Sequence, residues 1–492
     1  MVEKINLANY ILENISKYNG NKIAIKDDET SITYEQIPQK VKAFAYYLDS
    51  VGLRSGDRVA IVMGDCIDWC IAFLATTYIG ASTVLISPKI PKQNITNMLR
   101  NSNTRGIIYD NKETDLSDMD IDKHVSCIDR SEIQISRSQL EKFYQFHPDE
   151  ISLWCTSSGT CGRGQRFILH KHQCLLSAIP INIYEHGIDS SSVIFSTPKL
   201  SYQYGLANMI YGISVGAEVI LSKKIPGSQH IFATVNDNLV THLYTNATII
   251  TLLTKQNPLE NYLMSVRYVV CGGDPLPKFI ENRFMQIYDK NVFNGIGMAE
   301  ILTWATTQNY TTKKLGSIGK PVVGIQCQVR DLLGNLCKAY EVGELYISHP
   351  CAAVMYWNSI ESTRETFCGN WIRTKDMVWY DNDGFYYYFC RFDDLIKING
   401  SFVSPIEIEE ELAQHESVDE CIVGSYIDEY GMAKIESKII LKENASVTAG
   451  DIRRFLKQKL GSDKIPKRIL FVDTIAKTVT LKKIRKNIHL NV

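Results

Sequence analysis

Short apolar, β-branched runs alternate with longer amphipathic segments through most of this chain. Arg58–Met63 predicts a strand and Cys66–Ile79 a helix; Ser82–Ser87, Lys92–Arg100 and Arg105–Asp110 continue as strand, helix and strand. The pattern resumes with Val193–Ser196, Tyr204–Val215, Glu218–Ser222, His242–Thr245 and Val266–Cys271. A chain that keeps switching between these two periods is expected to build α/β layers with largely parallel sheets. The long apolar stretch from Cys70 to Ser87 breaks at Gly80, so it reads as a buried helix followed by a strand and not as a membrane span. At 492 residues there is room for two or more domains with large cores.

The character changes after Arg391. Leu395–Ile398 and Ser401–Val403 predict a hairpin across Asn399-Gly400, a strong turn signal. Ser404-Pro405-Ile406-Glu407 then supplies an N-cap, a proline at N1 and a capping-box glutamate, opening a helix to about His415. Strands near Cys421–Ser425 and Lys434–Leu441 and a helix near Asp451–Leu460 follow. The expected division is a large domain over 1–391 and a small α+β domain over 392–492.

The chemistry begins at Thr156-Ser157-Ser158-Gly159-Thr160-Cys161-Gly162-Arg163-Gly164-Gln165-Arg166, directly after the apolar run Ile151–Cys155. Glycines let the backbone come close to a ligand. Exposed N–H groups and hydroxyls donate to phosphate oxygens, and arginine adds a charge-assisted fork. No Gly-Lys-Ser/Thr closes the stretch, so it is not a Walker A loop. A net charge of −1 gives no overall field to draw in nucleic acid. Thirteen cysteines without a Cys-x-x-Cys, and a start without signal-peptide design, suggest reduced thiols in the cytoplasm.

Further segments follow in order. They are Cys271-Gly272-Gly273-Asp274-Pro275, Asn294-Gly295-Ile296-Gly297-Met298-Ala299-Glu300, Gly316–Pro321, Trp371–Asp376, Arg391–Gly400 and Ala476–Arg485. On these motifs the chain resembles the adenylate-forming superfamily of acyl- and aryl-CoA ligases, stand-alone adenylation domains and firefly luciferase, over about residues 20 to 487. Lys199–Leu206, Ala353–Asn358 and Val403–Pro405 look most like benzoate-type CoA ligases. The resemblance implies a large N-terminal domain of α/β sheets packed with helices and a small, mobile α+β C-terminal domain. It also implies two steps. A carboxylate attacks the α-phosphorus of ATP, giving acyl-adenylate and pyrophosphate; a thiol then displaces AMP.

By the same resemblance, Thr156, Ser157, Ser158, Gly159, Thr160 and Gly162 match the phosphate loop, and Glu300 with Thr160 matches the Mg²⁺ site. Gly272, Gly273, Asp274, Asn294, Gly295, Ile296 and Gly297 fall in segments that hold AMP, and Asp376 and Arg391 match the ribose pair. Lys482 matches the mobile lysine, Asp393 the hinge, and Lys397 and Gly400 lie in the segment of the thiol step. The acid pocket falls on Tyr202, Tyr204, Gly205, Thr303 and Trp304. The implied partners are ATP, Mg²⁺, a small-molecule carboxylic acid and coenzyme A or a carrier protein. A homodimer is one option for the assembly.

Four positions depart from the family pattern. Arg166 stands in for the loop's lysine if one residue is inserted, and otherwise Gln165 does. Ala299 replaces a threonine, Leu481 a glycine and Cys390 a glycine. A degraded site in an adenylate-binding regulatory protein is therefore an alternative to a ligase. Ser201–Tyr204 carries no carboxylate, which disfavours an α-amino acid. The flat side chains of Tyr202, Tyr204 and Trp304 suit an aromatic or medium apolar acid.

Overall fold

The computed structural model describes residues 5–134, 138–156, 166–224, 227–256, 262–398, 401–477, 483 and 485. Two large sheets face each other across a shared layer of helices. The seven-stranded sheet is parallel from Ser126–Asp129 through Gly106–Tyr109, Arg58–Val62 and Ser82–Leu85 to Ile151–Thr156. It is closed by antiparallel Phe167–Lys171 and Met355–Tyr356. The nine-stranded sheet runs parallel from Ile23–Lys26 to Val292–Gly297, with antiparallel Ser31–Thr33 at one edge and antiparallel Trp304–Thr307 and Lys320–Pro321 at the other.

The reason for the sandwich is visible in the helix Ile67–Tyr78. Every residue of it is buried, so it has apolar neighbours on all sides. It shares one core with Leu7–Ile15, Gln36–Ser50, His172–His186 and Gln203–Ser214, and with the inner faces of both sheets. The Cys70–Ser87 stretch is thus a helix and a strand, as its break at Gly80 suggested; Gly80 has a positive φ of 85°. No helix among the described residues is long and apolar enough to cross a membrane.

A third sheet of five strands was not anticipated from the sequence. It is wholly antiparallel and includes Gln326–Arg330, Gly343–Ser348, Trp371–Tyr380 and Tyr386–Arg391. Its strands mix charged and aromatic residues because antiparallel sheets tolerate one wetter face. The α/β expectation of largely parallel sheets holds for the two large sheets and fails here.

A separate apolar core runs from Ile396 to Ile469. Ile396–Ile398 pairs antiparallel with Ser401–Val403, as expected for a hairpin; its Asn399-Gly400 turn lies outside the described residues. The Ser404 hydroxyl caps the helix Pro405–Leu412 by accepting from the N–H groups of Ile406 and Glu407. The helix ends short of His415. Glu407 does not return to the cap, as a capping box requires; it pairs with Lys464 at 2.6 Å. An available cation outcompetes a backbone N–H for the carboxylate.

Candidate active site

The site forms where the C-terminal ends of parallel strands of the nine-stranded sheet meet the third sheet, the usual place for ligands in open α/β sheets. Strand Tyr268–Cys271 delivers Gly272, Gly273 and Asp274, and its neighbour delivers Asn294 to Gly297. Gly273 has φ +91°, a backbone region that favours glycine. The Asn294 side chain accepts from the N–H of Gly295, and Ile296 packs on the third sheet's core.

Glu300 follows that strand and is buried. The Tyr356 hydroxyl donates to its Oε1 at 2.5 Å, and the Ala353 N–H donates to its backbone carbonyl at 2.7 Å. Burial pushes the Glu300 carboxyl up, while the Tyr356 hydrogen bond and the positive charge of Arg391 pull it back. Just before it, His170 Nε2 lies 2.8 Å from the Ala299 carbonyl. Burial lowers His170 to about 4, so at neutral pH the ring is uncharged and serves as the donor.

Arg166 approaches from the other side of Tyr356. Its guanidinium lies 5.8 Å from the centre of the Tyr356 ring and donates to Ser362 Oγ at 2.6 Å. Arg166, Tyr356 and Glu300 therefore form a chain of contacts. Thr156, which opens the stretch expected to be a phosphate loop, ends a buried strand, and its carbonyl accepts from Gln203 Nε2 at 3.3 Å. Ser157, Ser158, Gly159, Thr160 and Gly162 lie outside the described residues, as do the choice of inserted residue, Leu481, Lys482 and Gly400.

The third sheet contributes Asp376 and Arg391, which are direct cross-strand partners. Arg391 donates to Asp376 Oδ1 at 2.7 Å, and Tyr388 reaches the same oxygen at 3.5 Å. The Asp376 side chain is buried, whereas that of Arg391 is 45% exposed. The pair thus presents a solvent-facing cation anchored on a buried anion. Cys390, beside Arg391, is fully buried, and burial pushes its thiol up to about 12.

The acid-pocket candidates also converge. Tyr202 begins the helix Gln203–Ser214, and the Tyr204 hydroxyl donates towards the carbonyls of Val270 and Thr245 at 3.3 and 3.4 Å. Trp304 meets Tyr204 edge-on at 5.3 Å, and the Thr303 hydroxyl accepts from Asn182. Gly205 is needed for packing, because a Cβ there would stand 2.3 Å from the Lys199 carbonyl oxygen. Asp393 lies in the short turn Phe392–Asp394 that leads into the small core. Lys397 sits over the Phe402 ring across the hairpin, at 6.0 Å.

Sequence reading missed Tyr356, His170 and Ser362 as site residues. Tyr356 stands inside a motif quoted for the resemblance, but nothing local shows that its hydroxyl reaches a carboxylate 56 residues away.

Among the described residues no group of three or more His, Cys, Asp or Glu could hold a metal by itself. Mg²⁺, a hard cation, takes one or two carboxylates and completes its shell with phosphate oxygens and water. Glu300, with one oxygen held by Tyr356, is an oxygen donor of the right kind.

The profile of the AMP-binding enzyme family matches residues 12–357, and that of the AMP-binding enzyme C-terminal domain matches 407–482. A benzoate–CoA ligase of Thauera aromatica is 29% identical over 97% of this chain and 94% of its own length. A benzoate CoA ligase from Burkholderia xenovorans LB400 superposes with a TM-score of 0.89 at 29% identity, covering 97% of this chain and 98% of that one. An anthranilate CoA ligase in complex with anthranoyl-AMP gives 0.90 at 25% identity, covering 98% and 96%. With the AMP-binding enzyme profile spanning residues 12–357, more than half of its length, the chain belongs to the AMP-binding enzyme family.

Proposed function

We propose that this chain is an AMP-forming acid–CoA ligase that activates an aromatic carboxylic acid through an acyl-adenylate. The observation that carries the reading is the convergence of Glu300, Tyr356 and Arg166 near the Asp376–Arg391 pair. A site that had lost its chemistry would have little reason to keep a carboxylate buried where burial disfavours its charge. This favours a working enzyme over the regulatory alternative, despite Ala299.

In the first step, negative charge builds on the phosphate oxygens around the α-phosphorus. Preorganised donors and cations lower that barrier. The phosphate loop from Thr156 to Gly162 cradles the β- and γ-phosphates, and Arg166 supplies the charge of the family's lysine. Asp376 accepts from the ribose hydroxyls, with Arg391 holding its carboxylate in register. Glu300 and Thr160 would hold Mg²⁺, which when bound would neutralise phosphate charge. Lys482 bridges the attacking carboxylate and the α-phosphate. Gly272 to Asp274 and Asn294 to Gly297 flank the nucleotide, and Tyr202, Tyr204, Gly205, Thr303 and Trp304 surround the acid.

Pyrophosphate leaves, and residues 392–492 turn about Asp393 relative to residues 1–391. A few torsions at one turn absorb such a rotation. Lys397 and Gly400 then line the approach of the thiol, whose sulfur attacks the acyl carbon and expels AMP. The separate core of the smaller unit supports its moving as a body. Coenzyme A is the acceptor in this reading, and the free thiols among the described residues suit a reducing cytoplasm.

The test is incubation with ATP, Mg²⁺, CoA and a pool of aromatic acids, with products read by mass spectrometry. Acyl-CoA is expected, and Lys482→Ala should abolish acyl-adenylate formation. Acyl-adenylate without thioester would move the acceptor to a carrier protein. Neither product from any acid would overturn the ligase. Gel filtration of the same sample distinguishes monomer from homodimer.

A further inference from the structure

The strand Trp371–Tyr380 is irregular just where it delivers Asp376. In its pairing with Gly343–Ser348, Met377 stands opposite Glu344 and Arg373 opposite Tyr346, so Thr374, Lys375 and Asp376 all face the single residue Leu345. The strand therefore bulges. Lys375, in the middle of the bulge, has φ +60°, a left-handed conformation that disfavours a side chain. Strain of this kind persists only where the surroundings impose it, and it gathers at functional sites.

One buried carboxylate imposes it. Glu344 is 3% exposed. Arg373 Nε donates to both of its oxygens at 2.8 Å, and the Lys375 N–H donates to its Oε1 at 3.0 Å. Glu344 thus grips the bulge at its first shoulder and at its strained centre. The Thr374 hydroxyl closes the turn: it donates to the Leu345 carbonyl at 2.8 Å and accepts from the Asp376 N–H at 3.0 Å. The Arg373 guanidinium also lies 5.7 Å from the centre of the Phe392 ring, next to Arg391 in the chain. Glu344 is therefore tied to Asp376 through the bulged backbone, and to the strand end that carries Arg391 through Arg373.

We propose that Glu344 is a positioning residue: it locks the bulge that sets the Asp376 carboxylate beside Arg391, and thereby fixes the preference for a nucleotide that carries its ribose hydroxyls. This rests on the ligase reading above and deepens it. The strained backbone at Lys375 is the cost of that aim, and the lysine side chain, which reaches Glu365 at 3.5 Å, is not needed for it. An ion pair that only held the sheet together would, when broken, weaken the use of every nucleotide alike, and the two roles separate experimentally.

The experiment measures pyrophosphate exchange with the pool of aromatic acids, and binding by calorimetry, for ATP and for 2′,3′-dideoxy-ATP. The proteins are the wild type, Glu344→Gln, Thr374→Val, Lys375→Gly, Asp376→Asn and the double variant Glu344→Gln/Asp376→Asn, and thermal midpoints report folding. The wild type is expected to prefer ATP by at least about 100-fold in kcat/KM, since a site that hydrogen-bonds a hydroxyl rejects the analogue without it. Glu344→Gln and Thr374→Val should each shrink that ratio by at least about 10-fold, through loss of ATP turnover with little change for the dideoxy analogue. Lys375→Gly should keep the ratio and raise the thermal midpoint, because glycine takes a positive φ freely. In the Asp376→Asn background, Glu344→Gln should cost no further discrimination. Equal losses for both nucleotides, additive losses in the double variant, or a wild type without preference overturn the role of Glu344 and leave the ligase standing. Nucleotide binding without exchange for any acid overturns the ligase reading, and the two binding constants then decide the role of Glu344. No binding of either nucleotide by the wild type overturns both.

Discussion

Tyr356→Phe removes one hydroxyl and leaves the ring on which Arg166 rests. That hydroxyl donates to the buried Glu300 at 2.5 Å. A hydrogen bond to a charged group is worth about 1.5–3 kcal/mol, and losing it disfavours the ionised form of the carboxyl. Burial already raises the Glu300 carboxyl, and the hydroxyl opposes that rise. Without it the carboxyl climbs further, so the ionised form proposed to hold the cation is lost at a higher pH. The acid limb of the pH profile for pyrophosphate exchange should move to higher pH, with activity recovering on the alkaline side. Calorimetry on that acid limb should show Mg²⁺·ATP bound more weakly, with the thermal midpoint little changed. An acid limb that stays in place would refute the reasoning, because the hydroxyl would then contribute nothing to the charge of Glu300.

Three other outcomes follow from named contacts. Asp376→Asn keeps the shape but removes the charge that anchors Arg391, so ATP affinity measured by calorimetry should fall about 10-fold or more; unchanged affinity would take Asp376 out of the nucleotide site. Burial lowers five histidines, His172 and His186 to about 3 and His170, His242 and His349 to about 4. Each stays neutral in the folded chain and takes a proton on unfolding, so its stabilising contribution is complete above about pH 6.5 and falls by about 1.4 kcal/mol per unit below it. Asp65, raised to about 6 by burial, offsets part of that loss, and the thermal midpoint should still drop steeply between pH 6.5 and 5; a flat profile would contradict it. Arg485→Gln strips the buried Glu409 of its cation, a change of about 3–5 kcal/mol. Hydrogen exchange should accelerate in Val418–Ile427 and Ala433–Leu441 and remain slow in Ile151–Thr156.

Much of the fold was legible because it is local. The period-two and helical patterns located elements such as Ile67–Tyr78 and His242–Thr245 within a residue, while Val418–Ile427, Pro405–Leu412 and Ala449–Lys457 differ from expectation by up to three residues at an end. The cap at Ser404 and the hairpin before it depend on a few adjacent residues, and they formed as expected. The antiparallel third sheet was harder to read, because strands such as Trp371–Tyr380 interleave charged and aromatic residues without a clean alternation.

The sequence by itself determined the α/β layers, the order of the motifs and the identity of the groups that could do chemistry. Only the tertiary structure decided which of those groups meet. Asp376 and Arg391 become partners through a strand register, not through their spacing in the chain. Tyr356 reaches Glu300 because an edge strand of one sheet ends beside the loop that leaves another. Trp304 falls on Gly272 because two strands pair with a common neighbour. Local periodicity is written in neighbouring side chains. Contacts between distant residues are set by sheet order, register and the shape left over when the core has packed, and no short segment encodes those.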